Sequence, residues 1–137
     1  MTWHTGRLID HVHLRATDVA ATRRFYEAIF ALMGIEMAAS GDGWFQTDEL
    51  FVSGSDPGGP QTHVHLAFQA RDRAMVDAFH GAALAAGGTD NGGPGERDYH
   101  PGYYAAFVLD PDGNNIEMVH HGPSRRSAAS VEIEAGD

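Results

Sequence analysis

Four histidines sit in two copies of one tetrapeptide, HVHL, at residues 11–14 and 63–66, and a carboxylate, Glu117, lies in NNIEMV near the end of the chain. Imidazoles and carboxylates are the donors that hold divalent first-row metals. They are also the side chains most used for acid–base work near neutrality. Two imidazoles and one carboxylate on three rigid strands form a facial triad, leaving positions open for water and substrate. The elements around these residues decide which histidines can meet Glu117.

RLIDHVHLRA alternates as a strand, with Leu8, Asp10, Val12 and Leu14 on one face and His11, His13 and Arg15 on the other. Asp18 then has the type and place of an N-cap. Val19, Thr22, Phe25, Ile29 and Leu32 or Met33 recur at helical spacing, and Gly34 ends the run. Strands are expected at Ile35–Ala39, Trp44–Thr47 and Leu50–Ser53, and GSDPGGP (54–60) is a linker by composition. The pattern restarts with the strand THVHLAFQA and the cap Asp72. An apolar helical stripe follows (Met75, Val76, Phe79, Ala82, Ala83, Ala86) and stops at Gly87-Gly88. A weak strand near Thr89 leads into the Gly/Pro loop 91–102. YYAAFVLD and NNIEMVHH then form a hairpin around Asp110-Pro111-Asp112-Gly113. The order is β-α-β-β-β, twice.

Two registers superpose the halves. Matching the tetrapeptides, an offset of 52, sets Phe25 against Asp77 and breaks the helical stripe. An offset of 54 aligns Asp18 with Asp72, Phe25 with Phe79, Gly34 with Gly88 and His11 with His65. Agreement of cap, stripe and stop together is the better criterion. Strand faces repeat every two residues, so all four histidines still face the same way. Two like modules about a pseudo-two-fold axis bring equivalent residues to one cleft, where His11 and His65 are expected to meet Glu117. An inward-facing carboxylate needs a metal or a charged partner; Arg15 is a candidate for the latter. His13 and His63 lie about 6.5–7 Å along each strand from the expected ligands and line the cleft. His121 shares the Glu117 face. Trp44 and Phe45 either wall the cleft or belong to the core.

The 137 residues suit one domain over 1–122, with module one at about 7–54 and module two at about 62–121. Residues 123–137 have the composition of a disordered polar tail. The chain has no cysteine, and all nine of its basic residues are arginine, which excludes thiol nucleophiles, Cys-based zinc sites and lysine Schiff bases. A net charge of −10 argues against nucleic-acid and anionic-membrane partners. No run is long and apolar enough to span a membrane, and the first residues lack a signal peptide's pattern, so the expected location is the cytoplasm.

DHVHLRATDVAATRRFYEAIF, HLAFQARDRAMVDAFHGAALAAGG and FVLDPDGNNIEMV resemble the vicinal oxygen chelate superfamily: glyoxalase I, bleomycin-resistance proteins, extradiol dioxygenases and fosfomycin-resistance enzymes. The resemblance covers about residues 8–121, and DPDGNNIE is its most specific part. It implies an α+β fold of two βαβββ modules forming a cupped, partly open, barrel-like mixed sheet with the helices outside. It also implies metal ligands at His11, His65 and Glu117, one divalent ion per site (Fe, Mn, Ni, Zn or Co), a small-molecule substrate and a homodimer.

The members differ in chemistry. Glyoxalase I places a fourth, acidic ligand in the last strand of module one, where this chain has Ser53 or a neighbour. Extradiol dioxygenases place a tyrosine ten residues before the glutamate, where this chain has Phe107, and a histidine upstream of the second ligand, where it has Leu50. Fosfomycin-type transferases bind a phosphonate through cations, often lysine, and here the nearest loop cation is Arg97. The GERDYHPGYY loop (95–104) is the expected substrate lid. In it Arg97 would hold an anion, while His100 or one of Tyr99, Tyr103 and Tyr104 would act as acid or base, Tyr104 being preferred. The expectation is a metal-dependent enzyme, lyase- or isomerase-like, with Glu117, Arg97, His100 and Tyr104 as catalytic groups and His13, His63, Trp44 and Phe107 lining the cleft. The alternatives are an extradiol-type dioxygenase and a metal-free drug-binding protein.

Overall fold

In the computed structural model, which describes residues 2–137, each half of the chain is a βαβββ module, the first strand after the second helix being broken into two short pieces that both pair the strand Tyr104–Leu109. Strand β1 (Thr2–Thr5) precedes module one, which consists of β2 (Val12–Ala16), α1 (Val19–Leu32), β3 (Ala39–Gly41), β4 (Trp44–Thr47) and β5 (Leu50–Gly54). Module two consists of β6 (His65–Gln69), α2 (Arg73–Ala85), the short β7 (Thr89–Asp90) and β8 (Gly95–Glu96), then β9 (Tyr104–Leu109) and β10 (Asn115–His120); β11 (Val131–Glu134) closes the chain. The class is α+β, as expected, and the sheets do not close into a barrel.

Both helices start where a side chain satisfies a free backbone donor. Asp18 accepts from the Ala21 amide at 3.0 Å and Asp72 from that of Met75 at 2.8 Å. Helix α1 buries Phe25, Tyr26, Ile29 and Phe30, and α2 buries Met75, Val76, Phe79 and Ala83. Each large side chain so buried stabilises the fold by about 1.5–3 kcal/mol relative to leaving it in water. The two glycines after α2 serve different ends. Gly87, at φ +101, makes the turn, whereas a Cβ on Gly88 would lie 2.4 Å from Val108 and 2.7 Å from Phe25.

The sheets run β2-β5-β4-β3 in module one and β6-β10-β9-β7 in module two, with β8 also pairing β9. In each, the first strand lies parallel to the last and forms an edge. Among the described residues no ladder joins these two sheets, which are separate. The modules meet through α1 against α2 and through a polar knot at the β9–β10 turn. The buried Asp110 accepts from the Tyr26 hydroxyl at 2.7 Å, from the Asn114 side chain at 2.8 Å, and from the amides of Asp112 and Asn114 at 2.9 Å each. Asn114 in turn accepts from the Val64 amide at 2.8 Å. The DPDGNN segment is therefore the scaffold that fixes β6 and β10 beside each other and against α1.

Three local expectations change. The strand expected over 35–39 is displaced to Ala39–Gly41, because Ile35 is still tied to the Phe30 carbonyl at the helix exit. The first strand begins at Val12, leaving Leu8 89% exposed, because its partner β5 begins at Leu50 after a turn in which Asp48 has φ +44. The polar C-terminal segment contains β11, which pairs antiparallel with β1, Thr2 opposite Glu134 and Thr5 opposite Val131.

Candidate active site

The open face of the second sheet collects the chemistry. The ladders place Glu117 opposite both Ala67 and Phe107, so strand alternation puts His65, Glu117 and Phe107 on one face. Glu117 is only 2% exposed, a depth at which a carboxylate needs partners on both oxygens. It has them: His65 Nε2 lies 2.9 Å from Oε1, and the Tyr103 hydroxyl donates to Oε2. Burial, and next the bond to Glu117, raise the Tyr103 pKa, so this phenol holds its proton.

The loop before β9 packs around that hydroxyl. The His100 and Tyr99 rings meet Tyr103 edge-on at 5.3 and 4.9 Å, and His121 does so at 5.2 Å. His100 Nδ1 lies 2.9 Å from the Pro101 carbonyl, which can only accept, so this nitrogen carries the proton. His100 Nε2 and His121 Nδ1 are 2.8 Å apart, so in the neutral pair His121 is the donor. The approach depends on two glycines at positive φ, Gly102 and Gly122; a Cβ on Gly102 would sit 3.1 Å from the His121 carbonyl. Arg97 donates to the carbonyls of Gly93 at 2.8 Å and Glu96 at 3.3 Å, its guanidinium 5.3 Å from the Phe107 ring centre. A hollow of about 290 Å³ opens here, lined by Glu96, Arg97, Asp98, His100, Pro101 and Gly102.

Tyr104 is not part of this group. It points to the opposite face, donating to Asp77 of α2 at 2.6 Å beneath the Arg73 guanidinium. The bond to Asp77, more than burial, raises its pKa. Strand alternation thus puts its neighbour Tyr103, and not Tyr104, beside Glu117.

The open face of the first sheet has its own hollow, about 360 Å³, lined by His11, His13, Gln46 and Phe51. His13 Nε2 lies 2.7 Å from the Ser53 hydroxyl, and its ring meets Phe51 edge-on at 4.8 Å. Phe51 stacks on Trp44 at 5.9 Å, while Phe45, on the other face, is fully buried core. His11 is exposed, with Nδ1 2.6 Å from its neighbour Asp10. His63 is exposed in the segment leading to β6. Within one chain the structure therefore joins His65 to Glu117 and leaves His11 just ahead of β2, at the hollow of the first sheet; among the described residues no three His, Cys, Asp or Glu side chains converge. The ladders also refine the fourth-ligand position. His13 lies opposite Phe51 as Ala67 lies opposite Glu117, so Phe51, not Ser53, stands at the module-one counterpart of the glutamate.

Paired βαβββ modules with an imidazole–carboxylate pair on an open sheet face define the class, and sequence comparison agrees. The model of the Glyoxalase/Bleomycin resistance protein/Dioxygenase superfamily matches residues 8–118. The chain belongs to that superfamily. A glyoxalase/bleomycin resistance protein from Albidiferax ferrireducens T118 superposes with a TM-score of 0.67 at 31% identity, covering 82% of this chain and 98% of that one. A glyoxalase/bleomycin resistance protein/dioxygenase family enzyme from Burkholderia phytofirmans PsJN gives 0.63 at 22% identity over 82% and 97% of the two chains. A lactoylglutathione lyase from Agrobacterium tumefaciens gives 0.59 at 24% over 82% and 92%. The latter two likenesses are of fold. No curated protein matches the chain. No described helix is long and apolar enough to cross a membrane.

Proposed function

We propose that the chain is a divalent-metal-dependent enzyme of the glyoxalase type, lyase- or isomerase-like, acting on a small molecule through two adjacent oxygens. The observation that carries the reading is the His65–Glu117 pair: a buried carboxylate and an imidazole nitrogen 2.9 Å apart on an open sheet face. Both are donors of the kind that hold a divalent first-row ion. The remaining ligand is His11, and a second copy of the chain supplies it. Both β2 and β6 are sheet edges, and each ends its module's open face. A two-fold dimer sets module one of one subunit over module two of the other, closing two equivalent clefts.

A divalent ion held by these three residues would supply Lewis-acid stabilisation of charge on the substrate's adjacent oxygens. The chain's own groups do the rest. Trp44, Phe51 and His13 form an aromatic wall for the apolar part of the substrate. Arg97 offers the guanidinium for an anionic end. Tyr103 and the His100–His121 pair are the groups placed to hold or pass a proton at the rim. Phe51 in place of an acid counts against faithful glyoxalase I chemistry, and Phe107 in place of a tyrosine weighs against ring cleavage, which stays the alternative.

The test is metal content by mass spectrometry on protein purified without chelator or histidine tag, alongside His11→Ala and Glu117→Ala. The expected result is about one divalent ion per chain, lost in both variants. Absence of metal, with no uptake on titration, would overturn the reading in favour of a metal-free binding protein.

A further inference from the structure

The geometry points to Tyr103 as the residue that orients Glu117, fixing which of its oxygens faces the cleft. The inference rests on the metal reading above and extends it to a residue outside the ligand set.

The two oxygens of a carboxylate are chemically equivalent, and rotation about the last side-chain bond of glutamate is soft, so the backbone alone does not select one. Here the selection is made by contacts. The Tyr103 hydroxyl donates to Oε2, which leaves Oε1 turned towards His65 Nε2. A carboxylate so anchored is presented through a single oxygen and cannot swing to engage through both. Outer hydrogen bonds of this kind set the orientation and affinity of metal ligands.

Tyr103 is itself held. The rings of Tyr99, His100 and His121 meet it edge-on, and the Gly102–Gly122 approach fixes the loop that precedes it. The chain of restraint thus runs from the end of β10, through the loop, back to the middle of β10. A tyrosine needed only to fill space would require no hydroxyl.

The experiment is Co²⁺ titration of the full chain, wild type against Tyr103→Phe, reading the dissociation constant and the visible absorption of the bound ion. Thermal unfolding of the metal-free proteins serves as the control for folding. The expected result is a loss of affinity of about 10- to 100-fold in the variant. It should come with an altered cobalt spectrum, because the freed carboxylate changes its mode of coordination. Equal affinity and an unchanged spectrum in a folded Tyr103→Phe would overturn the role of Tyr103 while leaving the metal site standing. A wild-type protein that takes up no Co²⁺ would overturn the metal reading itself. Should Tyr103→Phe fail to fold, Tyr99→Ala and His121→Ala, which remove the rings packed on Tyr103 from two sides, are expected to weaken Co²⁺ binding in the same direction; unchanged affinity in both would also overturn the proposal.

Discussion

The hydroxyl of Tyr26 in the first helix reaches Asp110 in the last turn of module two at 2.7 Å, and both residues are buried. This bond is one of the contacts, with α1 against α2, that tie halves sharing no strand ladder among the described residues. Removing the hydroxyl in Tyr26→Phe leaves the ring packing in place and takes one donor from a buried carboxylate. The expected loss is about 1.5–3 kcal/mol of unfolding free energy, measured by urea denaturation. A change within the error of the method would mean that Asn114 and the turn amides satisfy Asp110 by themselves.

The same contact predicts a response to alkali. Burial, and after it the charge of Asp110, raise the Tyr26 pKa well above the ordinary phenol value. In the unfolded chain this phenol loses its proton near pH 10, while the folded chain retains it. The unfolded state then binds fewer protons, so stability is full below about pH 10 and falls as the pH rises beyond it. Melting curves taken from about pH 8 to about pH 11 should show this decline. Tyr26→Phe should flatten it without abolishing it, since Tyr103 and Tyr104 also hold raised pKa values.

The glycine pair after α2 separates conformational from packing effects. Gly87→Ala meets no atom but adopts φ +101 and should cost roughly 1–2 kcal/mol. Gly88→Ala drives a methyl to 2.4 Å from Val108, 2.7 Å from Phe25 and 2.8 Å from the Ala83 carbonyl. Overpacking of this kind typically costs about 1–3 kcal/mol, and here the larger drop in melting temperature is expected for Gly88, because all three neighbours are buried. The reverse order would show that the backbone turn dominates.

Sharing of a site between two copies can be tested by mixing. His11→Ala and Glu117→Ala should each bind no metal as pure proteins. After co-refolding, a mixed dimer holds one cleft with both lesions and one with neither. Random assortment then restores roughly a quarter of the wild-type sites. If both sites lay within single chains, mixing would restore none.

Much of this was legible in the residues. Asp18 and Asp72 announce helices because a cap is a bond between a side chain and its own backbone three residues on, which needs no tertiary context. The two-residue period put His65, Glu117 and His121 on one face for the same reason. It also had the information to choose Tyr103: in the hairpin register Phe107 faces the cleft with Glu117, and Tyr103, four residues earlier, shares its parity where Tyr104 does not. The meeting of His11 with His65 was inferred from symmetry between modules. Symmetry says that two residues are equivalent, not that one chain brings them together, and that depends on how whole sheets dock. The pairing of β1 with β11 was least legible, because both strands are short and mostly exposed and leave no apolar alternation to read.

The β1–β11 ribbon has a topological consequence. Thr2 lies beside Glu134, so a short flexible bridge between these two residues would close everything between them into a ring. With that bridge in place the ring could be opened instead in the exposed GSDPGGP segment, where Gly58 has φ +72 and no neighbour near its missing Cβ. Such a circular permutant would read module two before module one. If it folds, the order in which the two halves leave the ribosome is immaterial to the architecture, and what the gene must preserve is adjacency around the ring.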